Sequence, residues 1–445
     1  MAHLFLPTMT ALLSFRSIPL PVAVGARGAY IYDADGRDYL DGSGGAMTVS
    51  LGHGVPEVVR AIQAQAERLC FSYRTQFGNE PANELAQALV ELAPSGIAHA
   101  FFVNSGSEAS ELAIRSSIQY WRERGQPAKT LLLGREISYH GMTMGALSMS
   151  GHTARRSDYA NLLHPLALGP SLPRPGDGAE AAVVEDHRRQ WTEAIGSVGA
   201  DRVAALIVEP IVGAAGGALT PPPGYMRMLR EVCDAQGVLL IADEVITGMG
   251  RTGRWFACDH DDVTPDVITV AKGLTSGYTP MGAVLYRDTL VEAMRSGSRS
   301  APFGHTFSGN PLSAATALAV VRYLQSHAVL DNVAARSEQL RSGLLRLQVR
   351  YPQLMGNVRG RGLLLGFDLF DPVRGGAPAS SMNANTAFTD DCQAEGLIVY
   401  PAGIAPANHA AIVSPPLTIS AEDADVLLSR LDAGLRRFAA RFSPT

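Results

Sequence analysis

Apolar residues fall along this chain in two alternating patterns. Short, nearly unbroken apolar runs lie at residues 99–103, 129–135, 203–208, 238–245, 267–270 and 281–286. Between several of them, apolar positions return every three or four residues. The first pattern predicts strands buried on both faces, and the second predicts amphipathic helices packed over them. The helical stretches run from Pro56 to about Cys70, from after Pro81 to before Pro94, from the Asn104 segment to about Arg124, from Pro223 to Gln236 and from Leu312 to Gln325. The alternation of strand and helix predicts an α/β fold built on a largely parallel sheet.

The flanks read differently. Residues 30–41 alternate around Asp33-Ala-Asp-Gly36, which predicts a small hairpin, and glycine-rich residues 42–54 predict a loop. Pro165 to Glu185, rich in proline, glycine and alanine, reads as a surface excursion. After Gln325 come a helix at Arg336–Tyr351, strands within 358–369, 396–401 and 411–419, and a last helix from Ala421 to about Phe442. Three regions result: an N-terminal arm with part of a small domain (1–60), a large domain (61–325) and a C-terminal small α+β domain (326–445). Met1 to Leu13 is apolar but contains Pro7 and has no basic leader, so it reads as a packing arm and not as a signal peptide. No internal repeat is evident.

Composition narrows the function. A net charge of −5 argues against nucleic acid or an anionic membrane as partner, and no run is long enough to span a bilayer. Cys70, Cys233, Cys258 and Cys392 have no paired spacing, which predicts neither a disulfide framework nor a metal site and suggests a reducing cytoplasm.

The chemistry gathers at strand ends. The chain has only two lysines, Lys129 and Lys272. Lys129 reads as a solvated strand edge. Lys272 closes the run Val267-Ile-Thr-Val, at the sheet edge where open α/β folds bind ligands. The run at 238–245 brings Asp243 and Glu244 to the same edge. A lysine that forms a Schiff base with a pyridine cofactor needs a buried carboxylate, because the ring is an electron sink only while its nitrogen keeps a proton. Asp243 is the candidate, and Val245 is placed to press on the ring. Asn104-Ser-Gly-Ser-Glu-Ala109 opens a helix straight from a strand, with Ser105 and Glu108 at capping-box spacing. That makes an anion site suited to a phosphate. Tyr139-His-Gly141 offers a stacking ring beside a glycine that admits close approach. Gly248-Met-Gly-Arg-Thr-Gly253 has the glycine spacing of a dinucleotide fingerprint, but no helical period follows it, so a nicotinamide or flavin site is not expected.

Taken together, these residues resemble the class III aminotransferases, within the fold-type I pyridoxal-phosphate enzymes. The segment Asp243-Glu-Val-Ile-Thr-Gly-Met-Gly-Arg-Thr-Gly253, followed by Thr269-Val-Ala-Lys-Gly273, carries most of the resemblance. Asn104–Ala109, Tyr139–Gly141, Glu209-Pro210 and Thr306-Phe-Ser-Gly-Asn-Pro311 extend it. The resemblance implies a mostly parallel seven-stranded sheet and pyridoxal 5'-phosphate as cofactor. It implies Lys272 as the Schiff-base lysine and proton carrier, and Asp243 as partner of the pyridinium nitrogen. Ser105, Gly106 and Ser107 would stand at the phosphate, with Tyr139, His140 and Val245 about the ring and Glu209 beside it. It also implies a homodimer in which Thr306 reaches the phosphate of the neighbouring subunit, and ping-pong transfer of an amino group from a donor to an oxo acid.

Departures from the pattern bear on the substrate. Relatives acting on α-amino acids, and the dialkylglycine decarboxylase, carry an arginine where this chain has Ile412, and the decarboxylase has a glutamine where this chain has Ala46. Glu209 then loses the partner it has in some relatives. Ala46 and Met47 suggest an apolar wall. These residues predict an amine, an ω-amino or a β-amino donor, with pyruvate or 2-oxoglutarate as acceptor. Arg74 is either a carboxylate-binding residue approaching from another direction or a surface arginine. The alternatives to transamination are racemisation or epimerisation on the same fold and, further off, decarboxylation or a non-catalytic relative that binds the cofactor.

Overall fold

The computed structural model describes residues 20–164, 167–174, 178–300, 304–379, 382–405 and 408–442. The arm expected at Met1–Leu13 lies outside them. Strands β1 (Ala23–Arg27), β2 (Tyr30–Asp33) and β3 (Asp38–Asp41) are antiparallel. The β2–β3 turn sits where the alternation places it, and Asp33 Oδ1 holds it by accepting the N–H groups of Asp35 and Arg37. Residues 42–54 are loop apart from a distorted turn at Gly44–Met47. Helices α1 (Pro56–Arg68) and α2 (Glu80–Leu92) follow, each with proline in its first turn, where no intrahelical N–H bond is lost.

The central sheet has seven strands: β4 (Ile97–Val103), β5 (Leu131–Arg135), β6 (Ala167–Gly169), β7 (Val203–Val208), β8 (Leu239–Asp243), β9 (Val267–Val270) and β10 (Gly282–Arg287), in the order β4-β10-β9-β8-β7-β5-β6. Only β10 runs against its neighbours. Every residue of β7, β8 and β9 is buried, which explains why these strands read as continuous apolar runs. Helix α3 (Gly106–Glu123) lays Ala109, Leu112 and Ala113 on Val103, Ile241 and Val284. On the same face Ser116 and Ser117 return their hydroxyls to Leu112 O and Ala113 O, so their burial leaves no polar group unpaired.

Two expectations fail here. The supposed excursion at 165–185 contains β6 and the start of helix α4 (Glu180–Val198), which packs Trp191 over Gly169. A Cβ at Gly169 would fall 2.1 Å from the indole, so the glycine permits the packing. Lys129 is not solvated. It is 4% exposed and donates from Nζ to Ala200 O, Val203 O and Gly237 O at 2.8, 3.1 and 2.7 Å, with the Trp121 ring beneath it. Three carbonyls and an aromatic face replace the lost water.

Helix α5 (Tyr225–Gln236) leads from β7 to the parallel β8, as predicted. Beyond the sheet come α6 (Asp288–Ser296), α7 (Pro311–Ser326) and α8 (Val329–Arg350), then β11 (Met355–Arg361) and β12 (Leu364–Leu369), which form a hairpin. Helix α9 (Ala384–Ala394) precedes β13 (Leu397–Ile398), β14 (Tyr400–Ala402) and β15 (Ala410–Val413), and α10 (Ala421–Ala440) closes the described chain. β13 pairs in parallel with β3, so a C-terminal segment completes the sheet begun by the first hairpin, while β14 and β15 join β12 and β11 in a separate four-stranded sheet. Residues 248–253 form turns and not the start of a helix, and Arg251 there binds Leu363 O and Pro415 O. The would-be dinucleotide motif thus ties the large sheet to the C-terminal strands. Among the described residues no helix is long and apolar enough to cross a membrane, no group of side chains could hold a metal, and all four cysteines are free.

Candidate active site

Strands β4, β5, β7, β8 and β9 end at one edge of the sheet, and a cavity of about 430 Å³ opens there. Its lining includes Ser105, Gly106, Ser107, Tyr139, His140, Glu209, Asp243, Val245 and Lys272, from five separate stretches of chain. The parallel topology gathers them, since each follows the carboxyl end of its own strand.

Lys272 stands two residues past the end of β9, at a positive φ of 38°. Burial holds its ammonium below the ordinary lysine value, Asp243 and Glu209 pull the other way, and the charge of Arg155 adds to the lowering. Asp243 ends β8. Its Oδ2 lies 2.6 Å from His140 Nδ1, and its Oδ1 accepts from Val245 N at 3.1 Å and Thr269 Oγ1 at 3.2 Å. His140 is fixed in turn: its N–H donates to Ser150 Oγ and its carbonyl accepts from Ser110 Oγ. Its Nε2 is buried without a partner. The neighbouring acid faces elsewhere. Glu244 accepts from Cys258 N at 2.9 Å and from the Thr247 hydroxyl, and so braces the loop after β8.

Glu209 follows β7. Its two carboxylate oxygens accept the N–H groups of Tyr139 at 2.9 Å and Gly213 at 2.8 Å. Burial pushes its carboxyl above the usual range; Asp243 reinforces this, while His140 and the two backbone bonds oppose it. Backbone amides thus supply the partners of Glu209. At the other wall, Ser105 Oγ accepts from Glu108 N at 3.2 Å and caps α3. Glu108 reaches back to Asn104 N, one residue short of a full capping box. The eighteen-residue α3 therefore points its positive end into the cavity. Two close approaches shape this wall: a Cβ at Gly106 would sit 3.0 Å from Val245 Cγ1, and one at Gly141, whose φ is +136°, would sit 2.5 Å from Ser107 Oγ.

Other candidates stand away from this cavity. Met47 and Ile412 are buried together with Ile246 in an apolar cluster behind the wall. Ala46 is exposed on the loop beside it. Arg74 lies over the Phe101 ring at 4.9 Å and packs against Gly304, and Thr306 is exposed on that same segment. Sequence reasoning missed Thr269, which steadies Asp243. Its signal is a hydroxyl within the otherwise apolar, fully buried β9.

The fold and the lysine–carboxylate pocket define a fold-type I pyridoxal-phosphate enzyme. The class III aminotransferase model matches residues 16–435, and the chain belongs to that family. It is 40% identical over 92% of its length to 93% of the Bacillus subtilis aminotransferase YodT, which is itself uncharacterized. It is 34% identical to the putrescine–pyruvate aminotransferase of Pseudomonas aeruginosa, covering 91% of this chain and 88% of the relative. A solved (S)-enantioselective ω-transaminase from Thermomicrobium roseum superposes with a TM-score of 0.88 at 34% identity, covering 94% of this chain and 93% of that one. The protein is thus a transaminase, and its cofactor is pyridoxal phosphate. The residues present fit that cofactor: a capped helix end for an anion, a buried carboxylate held by three donors, and an amine with its proton loosened.

Proposed function

We propose that the enzyme moves an amino group from an amine, ω-amino or β-amino donor to pyruvate or 2-oxoglutarate in two alternating half-reactions. The observation that carries this reading is that Ile412 and Met47 pack behind Ile246, which lines the cavity, so that this side is apolar where the family resemblance expects an arginine in α-amino acid enzymes. An α-carboxylate buried against that wall would be unpaired and costly. The names of the putrescine–pyruvate relative and of the solved ω-transaminase support the same donor class.

The roles follow from the site. Ser105, Gly106 and Ser107 would hold the cofactor's phosphate at the α3 terminus. Tyr139 and Val245 would flank its ring, and Asp243, steadied by His140 and Thr269, would pair with the ring nitrogen. Pyridoxal phosphate, when bound, supplies an electron sink that lets a proton leave the carbon bearing the substrate nitrogen. Lys272 Nζ, kept closer to neutral by burial, takes that proton and returns it. Glu209, fixed by two backbone amides, keeps its carboxyl group within electrostatic reach of Lys272. We further propose a homodimer in which Thr306 serves the partner's cavity. Exposed Phe71 and Phe307, in edge contact at 5.6 Å beside Thr306, support that interface. The four free cysteines support a reducing, cytoplasmic setting.

A donor screen against pyruvate and 2-oxoglutarate tests the substrate class. Amines and ω- or β-amino compounds are expected to outpace glutamate. Preference for glutamate over every such donor would overturn the reading.

A further inference from the structure

A 2-oxo acid carries its carboxylate directly on the carbon that reacts. The acceptor half of the reaction therefore needs a cation that a simple amine donor does not. Among the described residues lining the cavity, Lys272 is the only lysine or arginine, and it stands with two carboxylates, Asp243 and Glu209. Ile412 is sealed in its apolar cluster, and Arg74 is turned to Phe101 and Gly304. An anion entering this lining without a further cation would be repelled and left unpaired.

Arg155 lies just outside the lining, on the turn Thr153–Arg156. Its guanidinium stands 4.5 Å from the centroid of the Tyr139 ring, and Tyr139 is a wall of the cavity. Nη1 touches Met142 Sδ at 3.8 Å, and no carboxylate among the described residues pairs with Arg155. The next residue behaves otherwise. Arg156 Nη1 donates to Leu147 O, Ser148 O and Ser150 O, which pins the turn to the protein. One arginine thus anchors the turn, and the other is presented from it.

We propose that Arg155 is the specificity residue that receives the carboxylate of the oxo-acid acceptor at the cavity mouth, beside Tyr139. The inference rests on the reading that the acceptor is an oxo acid. A guanidinium laid over an aromatic ring is held in place by that ring while its N–H edge stays free for a carboxylate, which it can grip with two parallel bonds. The site then serves both substrates with one fixed geometry. An amine meets an apolar wall backed by Ile412, and an oxo acid meets Arg155 from the Tyr139 side. The charge of Arg155 is also felt at Lys272, which places it within electrostatic reach of the reacting amine.

The test uses the holoenzyme and follows each half-reaction alone through the cofactor's absorbance, with an uncharged-tail amine on one side and pyruvate on the other. Arg155→Gln is expected to raise the half-saturating pyruvate concentration about tenfold or more beyond any rise for the amine. Arg155→Lys should recover part of the difference. The affinity of the aminated enzyme for unreactive glutarate, measured by calorimetry, should fall in parallel. Equal shifts on both sides, no shift, or loss of bound cofactor would each overturn the assignment. If the wild type carries amines through the donor half yet accepts no oxo acid, the acceptor reading fails by itself, and the glutarate titration alone decides Arg155.

Discussion

Lys272 leaves β9 at a φ of 38°, a left-handed conformation uncommon for a residue with a side chain, and enters a pocket that disfavours its charge. Because the folded-state value is lowered, the folded protein binds fewer protons at this residue than the unfolded chain does. The difference spans the interval between the lowered value and the ordinary one near ~10.4. Stability therefore rises with pH across that interval, and below it the folded state bears the full cost of charging a buried amine. Lys272→Met removes this slope along with turnover. Thermal melts of cofactor-free enzyme from neutral to alkaline pH should show the variant's advantage over wild type shrinking as pH rises. An advantage independent of pH would contradict the loosened proton.

At the scale of elements, the first turn of α3 joins the sheet to the proposed phosphate site. Ser105→Ala deletes the cap to Glu108 N and should cost about 0.5–2 kcal/mol of cofactor-free stability, together with weaker cofactor retention. Equilibrium unfolding and cofactor titration read the two effects separately, and a variant that loses neither would deny Ser105 its place. This element was legible because strand, cap and helix each leave a mark in sequence: a buried run, a serine, and a return to a helical period. The same holds for β7, β8 and β9. Helix α4 was not legible, since it begins within a stretch whose proline, glycine and alanine content resembles loop, and β6 is only three residues long. Lys129 misled because charge predicts exposure, whereas its partners are carbonyls brought from positions 200, 203 and 237 by folding. The residues that follow strand ends and line the cavity were readable one by one. That Arg74 and Thr306 share a surface away from this subunit's cavity, and that Arg155 lies over Tyr139, depend on contacts between distant segments that no local pattern encodes.

For the whole molecule, the surface bearing Thr306, Phe71 and Phe307 requires an explanation, because Phe307 is 57% exposed and Phe71 is 36% exposed. If two subunits meet there, Thr306→Ala should leave the dimer's mass unchanged and weaken cofactor binding by about 1–3 kcal/mol, the worth of one charge-assisted bond. Light scattering and cofactor titration test both halves of that statement. A fully active monomer would remove the shared-site proposal.

The scarcity of lysine has a practical side. Lys129 is wrapped by carbonyls and Lys272 lines the cavity proposed as the active site, so this chain offers no lysine side chain as an innocent attachment point. Aldehyde resins and succinimidyl dyes, which spread over dozens of surface amines on an ordinary protein, would here find no exposed lysine side chain to take. Immobilising this enzyme for preparative work therefore calls for a handle to be built in, for example a lysine at Arg60, a 68% exposed position on α1 far along the chain from every strand end that forms the pocket.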